Sequence, residues 1–180
     1  MNRQTYSLYP FQPLERGRIA VECEVVRENE TIKLTYLLRG DLEEVDLPEA
    51  SANTIARRRD NLWEKTCFEC FLQVEKCQRY HEVNVSPEGG WNVYTFDQYR
   101  SGMRAEQRVM SLAIISNHLA DNFVVEFSLP LDELDVSNSS LKLGLSTVLA
   151  HTDGSRSYWS LCHRGDRPDF HNDSCFLIAI

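Results

Sequence analysis

Two neighbouring stretches decide the fold: Arg18-Ile-Ala-Val-Glu-Cys-Glu-Val-Val-Arg27 and, after Asn29-Glu30, Thr31-Ile-Lys-Leu-Thr-Tyr-Leu-Leu-Arg39. In the first, Ile19, Val21, Cys23 and Val25 share one parity, with Glu22 and Glu24 on the other. In the second, Ile32, Leu34, Tyr36 and Leu38 repeat the pattern. Period-two alternation buries one face of a strand, and two such runs across a short turn predict a hairpin. Further strands are predicted at 66–75, 79–85, 91–97, 110–118, 121–129, 142–151, 156–163 and 174–180. The connections carry turn residues, as in Ser86-Pro-Glu-Gly-Gly90, Asp153-Gly154 and Gly165-Asp-Arg-Pro168. About ten short strands with almost no helical periodicity predict an all-β fold, an antiparallel two-sheet β-sandwich. One helical turn is expected at 130–134, behind Pro130. The segment 49–62 is the longest irregular stretch, and its Arg57-Arg58-Arg59 run reads as a solvated loop. With no internal repeat, low-complexity tract or linker, the 180 residues are expected to form one domain over 1–180.

The composition is globular, with 42% hydrophobic and 26% charged residues, and the formal net charge is -8. That charge excludes a basic field for nucleic acid or an anionic membrane surface. No apolar run reaches the roughly 20 residues of a spanning helix, and the first residues lack an apolar signal core. A cytoplasmic location is therefore expected, with Cys23, Cys67, Cys70, Cys77, Cys162 and Cys175 as reduced thiols.

No nucleophile elbow, phosphate loop or zinc-protease motif occurs. Cys67 and Cys70 have metal-pair spacing, but residues three apart on a strand face opposite ways. Cys162 and His163 are adjacent and diverge for the same reason, so no catalytic residue is assigned. The loop from Asp166 to Asp173 gathers acids with His171 and has the oxygen chemistry for calcium, although its spacing matches no calcium loop. The tryptophans carry more. Trp63, in Asp60-Asn-Leu-Trp-Glu, and Trp159, in Arg156-Ser-Tyr-Trp-Ser, sit among polar residues at strand ends. Indoles so placed are amphipathic and suit the apolar faces of a sugar ring, with acids and amides for its hydroxyls. Trp91, after Gly89-Gly90, reads as structural.

Leu62-Trp-Glu-Lys-Thr-Cys-Phe-Glu69 resembles the Trp-x5-Glu signature of family 9 carbohydrate-binding modules and of the wider DOMON-like superfamily. Tyr80-His-Glu-Val-Asn84-Val-Ser-Pro resembles that family's next strand. Trp91 to Met103 and Ser157-Tyr-Trp159 to His171 look like a bacterial cytoplasmic branch of DOMON-like proteins. The resemblance runs from about residue 5 to the C-terminus. It implies an immunoglobulin-like or jelly-roll-like sandwich and a sugar clamped between Trp63 and Trp159, with Glu69, Asn84 and Glu82 on its hydroxyls. The chain departs from the family at Glu82, which stands at an arginine position. The asparagine that accompanies the second tryptophan is also missing before Trp159. Haem, which other DOMON domains hold through methionine and histidine, is not expected, and no cofactor is implied. The function read from the residues is non-catalytic binding of a carbohydrate or small polyol. The alternatives are a protein-interaction module that has lost the sugar site, and a hydrolase using Glu69 and Glu82 as its two acids.

Overall fold

The computed structural model describes residues 2–14, 18–48, 56–119 and 121–180. Its strands, in chain order, are β1 (Asn2–Pro10), β2 (Ile19–Glu28), β3 (Thr31–Gly40), β4 (Arg57–Arg58), β5 (Cys67–Val74), β6 (Tyr80–Val85), β7 (Gly90–Phe96), β8 (Arg104–Ala105), β9 (Ile114–Leu119), β10 (Asn122–Pro130), β11 (Leu141–Ala150), β12 (Arg156–Ser160) and β13 (Ile178–Ala179). Among the described residues there is no α-helix, and no helix long and apolar enough to cross a membrane. Each of the ten predicted stretches holds a strand, although 110–118 is strand only from Ile114, and 174–180 only at Ile178–Ala179, behind a 3-10 turn at Asp173–Cys175. The three unpredicted ones are β1, whose apolar parity is thin, and the two-residue β4 and β8. The turn expected at 130–134 is hydrogen-bonded turn structure over 131–135 rather than helix.

The predicted pair of separate antiparallel sheets is corrected to one curled, mixed sheet of 13 strands. Its order is β4-β7-β6-β5-β11-β12-β1-β2-β3-β10-β9, with β13 on β11 and β8 on β7. Strand β1 makes it continuous. Its residues 2–8 pair with β2, while Tyr9 and Pro10 pair with β12. The pairing is antiparallel except where β4 runs parallel to β7. The β2–β3 hairpin forms as read, with Asn29 taking the left-handed conformation (φ 52°) at its turn.

The curl brings β2, β3 and β10 over β5, β6, β7 and β11, and the main core lies between them. Tyr36 of β3 packs on Phe68 of β5 with ring centroids 5.2 Å apart, and Phe68 stacks on Phe123 of β10 at 6.4 Å. The Tyr36 hydroxyl crosses the core to donate to the Glu69 carbonyl oxygen (2.5 Å). Strand β5 alternates as a strand must, but both of its faces are buried. Phe68, Cys70 and Leu72 enter the main core, while Phe71 enters a second aromatic cluster on the opposite face with Tyr80, Tyr94, Phe96 and Phe176. Cys67 and Cys70 point apart for the same reason, Cys67 to Asn84 and Cys70 into the core.

Phe68 joins the two halves of the curl, so its truncation leaves a cavity that neither half can fill. Phe68→Ala is expected to lower the free energy of unfolding by about 3–5 kcal/mol, measured by urea denaturation. A loss below about 1 kcal/mol would mean that the halves do not depend on this contact.

Candidate functional site

The second aromatic cluster is the floor of a cleft on the outer face of the β7-β6-β5-β11-β12 half. Trp63 reaches it from a 3-10 turn at Leu62–Glu64, entered through Asn61 in the left-handed conformation (φ 59°). Polar side chains on β7 hold that turn: the Tyr94 hydroxyl donates to Asp60 Oδ1 (2.7 Å), as does Asn92 Nδ2 (2.8 Å). Trp63 then meets Tyr94 edge-on, centroids 5.9 Å apart. The arginine run before the turn is not a solvated loop throughout. Arg58 stands 4.4 Å over the Trp91 ring and donates to Asn92 Oδ1 (2.5 Å) and to the Glu106 and Val109 carbonyls. Residues 49–55 of that segment lie outside the described residues.

Two acids line the cleft. Glu69 of β5 pairs in register with Asn84, and Glu82 of β6 with Phe71, so the two glutamates are diagonal neighbours on one face. Both are buried, at 3% and 5% exposure. Glu69 accepts from Ser146 Oγ (3.1 Å), and Glu82 accepts from Asn84 Nδ2 (2.8 Å). Neither bonds to a lysine or arginine among the described residues. Burial raises both acids, Glu69 to about 8 and Glu82 to about 7, and the charge of Glu82 adds to the effect at Glu69.

The remaining wall is a strap, residues 161–177, tied by a disulfide between Cys162 and Cys175, whose Cα atoms are 5.5 Å apart. This corrects the expectation of six reduced thiols: Cys23, Cys67, Cys70 and Cys77 are free, and these two are bonded. Disulfides persist in oxidising compartments, so a cytoplasmic address does not follow from the cysteines. Phe176 lies flat over Gly144 and Phe71, which only glycine permits, since a Cβ at 144 would stand 2.5 Å from its ring. His171 packs on Phe71, Tyr80 and Phe96. The Tyr80 hydroxyl accepts from the Arg100 amide (3.2 Å), leaving its hydrogen for His171 Nδ1 (2.7 Å). His171 Nε2 then faces Glu82 Oε2 across 3.8 Å. Burial, helped by Arg100, lowers His171 to about 4, so it stays neutral and gives Glu82 no counter-charge. Asp169 grips Arg100 through Nε (3.1 Å) and Nη2 (2.7 Å), and accepts from Tyr99 (2.8 Å), closing the strap onto residues 97–103.

The result is an open cleft of about 410 Å³, walled by Trp63, Tyr158 and Phe170, with Glu69 and Glu82 at its base and Arg100 and Arg156 beside it. Of the sequence-predicted residues, Trp63, Glu69 and Glu82 meet here. Asn84 is wholly buried beneath them and positions Glu82. Trp159 does not line the cleft. It is 2% exposed in the main core, with its indole N–H on Ser157 Oγ (2.9 Å). Trp159 therefore does not stand across the cleft from Trp63 as expected: on β12 the cleft face belongs to Arg156 and Tyr158, and Trp159 points inward. Parity could have assigned Tyr158. Arg100, Phe170 and His171 carry no local signal, because the strap and the 97–103 loop meet only in the fold. The loop acids do not form a calcium cage. Asp169 is committed to Arg100, and no three metal-ligating side chains converge among the described residues. Met103 and His171, one of each haem-ligand type, both line the cleft, but both ring nitrogens of His171 face protein oxygens.

No family model matches the sequence, and no curated protein matches it. The fold does have solved neighbours. A candidate carbohydrate-binding protein from Bacteroides uniformis ATCC 8492 superposes with a TM-score of 0.65 at 11% identity, covering 96% of this chain and 83% of its own. A family 9 carbohydrate-binding module from Caldicellulosiruptor kristjanssonii, solved with cellotriose, gives 0.52 at 9% identity over 88% of this chain and 72% of its own. At these identities the likeness is one of fold, and the chain has a fold like that of carbohydrate-binding modules.

The buried titratable groups define a pH profile. The folded state keeps the protons of Glu69 and Glu82 after the unfolded chain has lost them near 4.5, so they cost stability as pH rises from about 4.5 towards 8. His81 and His171, both lowered to about 4, cost stability as pH falls from 6.5 to 4. The two effects oppose one another below 6.5, and above it the acids act alone. The melting temperature is expected to fall between pH 6.5 and 8 and to fall less in Glu69→Gln; equal slopes would refute the raised acid.

The disulfide closes a loop of sequence separation 13. Loss of such a link is worth roughly 3 kcal/mol in the chain-entropy model. Cys162→Ala/Cys175→Ala is expected to lower the melting temperature and to make wild-type protein under strong reductant behave like the variant. An unchanged melt in both would show that the strap is held by Phe176, His171 and the Asp169–Arg100 bridge without the disulfide.

Proposed function

We propose that the chain is a non-catalytic carbohydrate-binding module of the DOMON-like kind, with its ligand site in the cleft between Trp63, Tyr158 and Phe170. The observation that carries this reading is the pairing of aromatic walls with two buried acids at one open cleft. Rings cover the apolar faces of a pyranose, and acids and guanidiniums take its hydroxyls. Trp63 supplies one wall, Tyr158 takes the place expected of Trp159, and Glu69 and Glu82 bond the hydroxyls, with Asn84 fixing Glu82. The guanidinium missing from strand β6 is supplied instead by Arg100 or Arg156. A fold neighbour solved with cellotriose supports the same ligand class.

A hydrolase working through Glu69 and Glu82 fits less well, although both acids do line one cleft. Glycoside hydrolysis divides the labour between a protonated acid and an ionised carboxylate, and active sites achieve this by pushing two pKa values apart. Here both are pushed up.

Titration with mono- and disaccharides, followed by tryptophan fluorescence, is expected to give a saturable change from Trp63, since Trp91 and Trp159 are buried. Trp63→Ala should remove the signal and weaken binding at least tenfold (about 1.4 kcal/mol), measured by calorimetry. Full affinity in that variant would move the site elsewhere. No response to any sugar from the folded wild type would favour the protein-interaction module.

A further inference from the structure

The acids at the base of the cleft lack what buried carboxylates ordinarily have. A charge taken out of water is kept by a paired counter-ion or given up by protonation. Glu69 has a hydroxyl, Ser146, and Glu82 has an amide, Asn84. The Arg100 charge acts on Glu82 but is outweighed by burial, and the other bases nearby give less. Arg100 is held by Asp169 on two nitrogens, His171 is neutral, and Arg156 is exposed at the rim, where water and salt screen it. The other titratable neighbours, Cys67, Tyr80 and Tyr94, are all held in their uncharged forms by burial. Around the acids stand Trp63, Tyr158, Phe170 and Phe96, rings whose negative faces attract a cation.

Resting on the carbohydrate reading above, we infer that the site takes an amino sugar, with the ligand's protonated amine settling on the Glu69–Glu82 pair and its ring lying against Trp63 and Tyr158. The ammonium is the missing counter-ion. It replaces the proton that the pair otherwise keeps, so binding releases protons to solvent, and more of them at pH 5 than at pH 7. A neutral sugar finds the same walls and hydroxyl partners but leaves the acids in their protonated form, with no ion pair gained. The specificity therefore lies in the substituent on one ring carbon, not in the ring.

Glucosamine, N-acetylglucosamine and glucose differ at that carbon as ammonium, neutral amide and hydroxyl, and test this on the wild-type protein by calorimetry. At pH 7 glucosamine is expected to bind at least tenfold more tightly than the other two. The preference should shrink at pH 5, where the acids hold their protons, and should collapse to under threefold in Glu69→Gln/Glu82→Gln. The wild-type comparison stands even if that variant folds poorly. Glucose or N-acetylglucosamine binding as tightly as glucosamine overturns the amine inference and leaves the carbohydrate reading intact. A preference that survives in the folded double variant overturns the assignment to the two acids. No binding of any of the three, nor of the wider sugar panel, overturns the carbohydrate reading itself, and this inference with it.

Discussion

Strand β5 has to serve two interiors at once, and the molecule is arranged around that demand. Its even-numbered residues, Phe68, Cys70 and Leu72, fill the space between the halves of the curled sheet. Its odd-numbered residues, Glu69 and Phe71, open onto the other side, where a soluble sheet would ordinarily meet water. A strand buried on both faces can carry a carboxyl only if something covers it, and the cover is the strap from 161 to 177. The site is therefore not an addition to a finished sandwich. It is the consequence of roofing the outer face of the sheet with a loop that leaves a gap at Glu69 and Glu82.

The back of the site is braced from the core. Tyr36 reaches across from β3 to the Glu69 carbonyl oxygen, and its ring packs on Phe68. The residue that carries the acid is thus held from behind by the same contacts that join the two halves. On the outer face, each wall is held by a different device: the Trp63 turn by Asp60 with Asn92 and Tyr94, the strap by its disulfide and the Asp169–Arg100 bridge, and Phe176 by the bare backbone of Gly144. Rigid supports of this kind reduce the ordering cost that a ligand meets on binding.

The strands were legible because alternation is local: Ile19 to Val25 and Ile32 to Leu38 declare a hairpin whatever the rest of the chain does. Closure into one continuous sheet was not, because it rests on β1, where Leu8 belongs to the core but the neighbouring positions are polar. Glu69 and Glu82 were legible only through the resemblance to family 9 modules, which also singled out Trp63; parity allowed the two acids to be neighbours without establishing it. Trp159 misled because a tryptophan among polar neighbours reads as amphipathic, although on a strand its neighbours face the other way. Tyr158 was available from that same parity. Arg100 and His171 were not, since they meet through Tyr80 only after the strap has closed.

Glu82 decides the electrostatics of the cleft floor. A cation at this position would stand diagonal to Glu69 and could offset its charge. The chain places a second acid there, and the guanidiniums beside the cleft are those of Arg156 and of Arg100, which is tied to Asp169. Packed apolar side chains in place of buried charge are neutral or stabilising in general. Both acids instead stay at the base of an open cleft with the aromatic walls intact. A floor of two acids whose nearest guanidiniums are tied to Asp169 or screened at the rim is one where burial outweighs every charge the protein supplies, so the pair keeps its protons well above the ordinary carboxylate range.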